Sequence, residues 1–206
     1  MMKTLTFLLV AVAPIAMSFD RPTTTLTVAE RKYAVDLLQG TKDDLLKKVK
    51  GLTAEQLNFK ADSTSWSIAE CVEHITLAET QLFEYAQIGL KEPADPSKRS
   101  EVKTKDDELV KMVADRSQKR EAQETLKPSG KFGSFDATLA DFKAQRDKHI
   151  QYIKTTPDDL RNHYNDYPFG KLDTYQTILL MAAHSRRHTA QIQEVLNNPN
   201  FPKKGN

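Results

Sequence analysis

Four long stretches of this chain repeat apolar residues every three or four positions, the spacing that lines one face of an α-helix. The first runs from about Val28 to Lys50, with Tyr33, Val35, Leu37, Leu38, Leu45, Leu46 and Val49 in phase. Gly51 follows as a stop signal. The second starts at Ser67, where Ser67-Ile68-Ala69-Glu70 fits a capping box, and continues to about Leu90 on Cys71, Val72, Ile75, Ala78, Leu82 and Tyr85. The third runs from Phe135 to about Thr155 behind Ser134, and the fourth from Tyr175 to Asn197 behind Asp173 or Thr174. Only seven glycines occur in 206 residues, which suits helix better than sheet.

Shorter signals fill the gaps. Leu52 to Ser65 reads as a loop, and Lys91 to Lys103 as a charged linker with Pro93 and Pro96. A highly charged helix over Lys105 to Thr125 is expected at the periphery, and Pro157 to Leu172 is expected to be irregular. The economical fold is all-α: a four-helix bundle with an extra charged peripheral helix between the second and third bundle helices. The domain spans 28–198, after a linker at 19–27 and before a tail at 199–206.

Residues 1–18 have the pattern of a secretory signal peptide. Lys3 supplies a positive start, Leu5 to Met17 an apolar run, and Ala16 and Ser18 the small residues before a cleavage at Phe19. A span needs about 20 apolar residues, and Pro14 interrupts this shorter run. The expectation is an exported protein, periplasmic or secreted, without stable membrane insertion. Cys71 is the lone cysteine, so no intrachain disulfide can form. Thirty basic against 28 acidic residues leave a net charge of +2, which gives no electrostatic footprint for nucleic acid.

The chemistry-bearing pattern is three histidines on two of the expected helices. His184 and His188 are four residues apart, about 400° of rotation, and so share a helix face. His74 lies at the edge of the apolar stripe of the second helix. Three imidazoles on facing helices can hold one divalent transition metal ion and leave coordination positions open to water or a substrate. Zn, Ni, Fe and Cu all suit imidazole. Glu70, one turn before His74, and Gln191, one turn after His188, could orient the ligands, although the cap is the stronger reading of Glu70. His163, in the irregular segment, could overhang the site and touch substrate. Glu73 is expected to be solvated, and Arg187 to point away from the histidines. Arg186 could meet an anionic substrate, with solvated helix surface the commoner role. No phosphate-binding Gly-rich loop, Cys-x-x-Cys pair or G-x-S-x-G elbow occurs.

Trp66, Ser67, Glu70 and His74, followed about 110 residues later by His184, His188, Gln191 and Ile192, make a pattern that resembles the DinB-like (YfiT-like) metalloprotein superfamily. Pro168-Phe169-Gly170 also resembles that family's loop before its last helix. The resemblance covers roughly Val28 to Leu196. It implies a four-helix bundle binding a divalent metal through His74, His184 and His188. It also implies a small-molecule substrate, with a thiol among the options, and homodimers. Relatives include thiol S-transferases and a thiol-dependent maleylpyruvate isomerase. The expected function is therefore a metal-dependent enzyme of hydrolase or thiol-transferase type. The alternative is a non-catalytic bundle that binds metal or a small ligand in the cell envelope.

Overall fold

A computed structural model of the chain describes residues 25–203; the signal-like segment 1–18 lies outside them. Helix α1 (Val28–Val49) is followed by a short α2 (Ala54–Asn58), α3 (Ile68–Gly89), α4 (Asp106–Ala114) and α5 (Phe135–Thr155). A two-stranded hairpin, β1 (Tyr164–Tyr167) and β2 (Gly170–Asp173), leads into α6 (Thr174–Leu196). Helices α1, α3, α5 and α6 form the four-helix bundle, with α6 packed on α1, α3 and α4.

The helix starts follow the capping chemistry written in the sequence. The hydroxyls of Thr27 and Ser67 accept from the backbone amides of Glu30 and Glu70, whose carboxylates accept from the cap amides in return. Ser134 caps α5 and Asp173 caps α6. Gly51, at φ 69°, turns the chain out of α1 in a conformation that only glycine adopts without strain.

Three segments differ from the sequence expectation. The stretch expected as a loop contains α2, held by a Thr53–Gln56 capping box. The charged helix ends at Ala114, well before Thr125, and buries Leu109, Val110 and Val113. The segment expected to be irregular contains the hairpin, with Tyr167 opposite Gly170 across a two-residue turn. Strands of four residues are too short for alternation to show. The hairpin docks on the end of α3 at Gly89, where an added Cβ would stand 2.7 Å from the Asn165 side-chain oxygen.

The core divides into two apolar clusters. One contains Leu38, Leu109, Ile153, Tyr175 and Ile178, the other Leu45, Ile68, Ile75, Phe142 and Ile192. A polar network lies across all four bundle helices. Arg146 of α5, fully buried, meets Glu79 of α3 in a two-point ion pair, both contacts 2.6 Å. Its other donors reach the Leu38 carbonyl and Thr41 hydroxyl of α1, at 2.9 and 2.7 Å, and the Ser185 hydroxyl of α6, at 2.7 Å. Glu79 also accepts from His149 at 2.9 Å. The guanidinium spends all five of its N–H donors inside the protein, which is what makes a buried charge tolerable.

Removing one partner strands the other charge. Arg146→Ala should therefore lower stability by about 3–5 kcal/mol, seen as a lower urea midpoint at unchanged slope. Replacing Arg146 and Glu79 together with Met and Leu should cost less than Arg146→Ala alone, because no buried charge is then left unpaired.

Candidate metal centre

His74 projects from the second turn of α3, and His184 and His188 from successive turns of α6. The Nε2 atom of His74 lies 3.1 Å from Nε2 of His184 and 3.1 Å from Nε2 of His188. One ligand nitrogen from each ring falls within 4.8 Å of the others. Among the described residues this is the only group of three or more His, Cys, Asp or Glu so arranged. Metal–nitrogen bonds of about 2.0–2.1 Å in a tetrahedron put the nitrogens about 3.3 Å apart, so the observed spacing fits one shared cation.

The partners of the far ring nitrogens sharpen this reading. Nδ1 of His74 is 2.8 Å from the Leu126 carbonyl oxygen, which can only accept. That nitrogen must carry the proton, so Nε2 of a neutral ring presents a lone pair. Nδ1 of His188 is 2.9 Å from Oε1 of Gln191. Arg116, which can only donate, contacts the same Oε1 at 3.2 Å and so fixes the amide orientation. Arg116 is itself held by two contacts to Glu194, at 2.7 and 2.6 Å. The nitrogens of His74 and His188 therefore meet lone pair to lone pair. That is repulsive between bare rings and favourable around a cation. The residues present fit a divalent ion.

Burial supports the neutral state. Desolvation pushes the His74 imidazole below its ordinary pKa. It pushes His188 down to about 3, with His74 nearby adding to the effect. His184 is driven well below its usual value, by burial first and then by the two neighbouring rings. All three rings are therefore able to ligate a metal at neutral pH without losing a proton.

The walls come from distant parts of the chain. The indole of Trp66 packs on His74 and His188, with ring centroids 4.7 and 6.0 Å apart. The segment after α4 crosses the other side, bringing the Leu126 carbonyl onto His74. Glu73 anchors that segment: it is buried and accepts from the backbone amides of Ser129, Gly130 and Lys131, at 3.0, 3.1 and 2.9 Å. The expectation that Glu73 is solvated is thus corrected. A cleft of about 1080 Å³ opens onto the histidines, large enough for a small organic molecule.

The remaining candidates separate. Gln191 sits behind His188, as described. Glu70 lines the cleft, but its carboxylate accepts from the Ser67 amide and pairs with Lys60 at 2.7 Å; no contact joins it to a histidine. His163 does not overhang the site. It lies beside Gly89, 3.3 Å from that carbonyl. Gly89 is fifteen residues beyond His74 along α3, about 22 Å. The hairpin carries His163 to the far end of the bundle. Arg187 is also corrected: it is buried and lines the cleft. The helical wheel failed there because α6 packs on three helices and leaves only a narrow solvent strip, Arg186, Ala190 and Glu194, that excludes Arg187. Sequence reasoning missed the Leu126 carbonyl, since a backbone acceptor 52 residues from its donor leaves no side-chain signal.

Fold and cluster together define a class: a four-helix bundle with three histidines converging from two helices. The DinB superfamily model matches residues 37–192, and the chain belongs to that family. It is 27% identical over 149 residues to the uncharacterised protein YuaE of Bacillus subtilis (strain 168), a match covering 72% of this chain and 88% of YuaE. Its fold is similar to that of YfiT from Bacillus subtilis, with a TM-score of 0.58 and 14% identity over 88% of this chain and 94% of YfiT. YfiT is described as a probable metal-dependent hydrolase with an unusual four-helix bundle topology.

Cys71, one turn before His74, is fully buried, and burial pushes its thiol up to about 12. It should resist iodoacetamide at pH 8 in the folded protein and react once urea unfolds the chain, as mass spectrometry of the two samples would show.

Proposed function

We propose that this protein binds one divalent transition metal ion through His74, His184 and His188 and is a metal-dependent hydrolase acting on a small molecule. The observation that carries this reading is the convergence of three Nε2 atoms, two of them with the lone pair set inward by a hydrogen bond on the opposite nitrogen. YfiT, similar in fold, is described as a probable metal-dependent hydrolase, which supports the hydrolytic form over thiol transfer.

When bound, a divalent ion supplies Lewis acidity: it acidifies a water and polarises a carbonyl or phosphoryl oxygen. The chain's own residues set the conditions. Three neutral imidazoles leave the ion's full charge uncompensated, and no carboxylate among the described residues joins the ligand cluster. The Leu126 carbonyl and Gln191 hold two ligand rings in orientation and tautomer. Trp66 shields one side from water, and the cleft admits substrate from the other.

The full chain should contain about one metal per molecule by elemental analysis after purification without a chelating tag. His188→Ala should lose it. Gln191→Ala should keep the fold but bind metal about 10–100-fold more weakly. Metal retained at full occupancy by His188→Ala would refute the site. A non-catalytic binding bundle would show the same metal losses with no hydrolysis to lose across a panel of ester, amide and phosphoester substrates.

We further propose that the protein is exported. Its mature form should then begin at Phe19, as N-terminal sequencing of the product from the native host would show; an intact Met1 would refute export.

A further inference from the structure

We propose that the cleft beside the histidines contains an oxyanion subsite centred on Arg187, which holds a carboxylate or phosphate group of the substrate. The inference deepens the metal-centre reading and rests on it only in assigning the anion to a substrate.

Arg187 is 5% exposed and forms no ion pair among the described residues. Arginine is almost never buried without a carboxylate partner. The other buried guanidinium, Arg146, shows the usual solution, with every donor used. Arg187 has one arm engaged: Nη2 donates to the Gln118 carbonyl at 2.7 Å. Its Nη1 is buried with no hydrogen-bond partner. An unmet charged donor carries a heavy desolvation cost. An anion accepting from Nη1 would relieve that cost.

The cleft has the matching charge. Six of its lining residues are basic and three acidic, whereas the whole chain is nearly balanced at 30 to 28. Pairing leaves the excess in a defined place. Lys60 is paired with Glu70, Arg116 with Glu194, and Lys127 with Glu124. Lys119, Arg120 and Arg187 have no salt-bridge partner among the described residues, and the one unpaired acidic lining residue is Glu121, next to Arg120, so the net excess is positive. Arg187 directly precedes His188 in the chain and lines the same cleft as His184 and His188. One substrate can therefore reach the subsite and the histidine cluster together. A planar guanidinium offers directed N–H donors to a carboxylate or phosphate. The exposed Arg120, at the rim, would draw the anion in.

Inorganic phosphate and acetate, titrated by calorimetry at constant ionic strength into the full chain, test this. Each titration uses the protein as purified and after chelation of metal. At least one of the two anions should bind both forms, and which one binds identifies the substrate group. Arg187→Gln should weaken that binding about tenfold or more in both forms, with metal content unchanged, and Arg187→Lys should recover part of it. Arg120→Gln alters only an exposed residue and should weaken binding about threefold, so the test survives a folding defect in Arg187→Gln. Absence of binding by either anion would overturn the subsite. So would binding that disappears with the metal, or binding unchanged in both the Arg187→Gln and Arg120→Gln variants. Anion binding that depends on Arg187 in a chain that takes up no metal would instead uphold the subsite and refute the metal centre.

Discussion

The ion pair between Arg146 and Glu79 is the constraint on which the rest of the bundle depends. Apolar packing brings helices together but tolerates small slips along their axes. A guanidinium with five fixed donors does not. Arg146 takes partners from α1, α3 and α6 while sitting on α5, and a slip of any of these helices would strand a buried polar group. The network also sets the histidines. Glu79 lies five residues beyond His74 on α3, and Ser185 follows His184 on α6. Locking Glu79 and Ser185 to one guanidinium fixes the register of the two helices that carry the three imidazoles.

A second layer of constraint prepares the rings themselves. Helix geometry can place His184 and His188 on one face, but it does not say which nitrogen points inward. That is decided by the Leu126 carbonyl and by the chain of contacts from Glu194 through Arg116 and Gln191 to His188. Glu73, gripping three backbone amides, holds the Ser129–Lys131 segment, close in sequence to the carbonyl that orients His74. Adjacent residues on α3 thus serve one purpose from two directions. His74 reaches into the cluster, and Glu73 anchors the segment that orients it.

The bundle was legible because its signals are local and repeated. Capping residues at Ser67, Ser134 and Asp173 mark helix starts, and apolar spacing marks the inner faces over about twenty residues at a time. The hairpin at Tyr164–Asp173 was not legible, since four-residue strands carry no usable period. The wheel argument placed His74 on α3 and His184 and His188 on α6, but it misplaced Glu73 and Arg187. A helix enclosed by α1, α3 and α4 buries polar residues such as Gln176 and Arg187 on faces that a wheel assigns to solvent. The buried roles of Glu73, Glu79 and His149 were hidden for a related reason. A charged residue reads as solvated until its partner is known, and each partner here comes from another element.

The sequence by itself determined the four bundle helices, their order, and the three histidines and Gln191, because capping, periodicity and i, i+4 spacing act within a few turns of one helix. Only the tertiary structure decided that the three Nε2 atoms meet, that the Leu126 carbonyl orients His74, that His163 lies at the opposite end, and that Arg187 enters the cleft. Those facts depend on the relative placement of segments far apart in the chain. That placement follows from burying charge and apolar surface together, which no local pattern encodes.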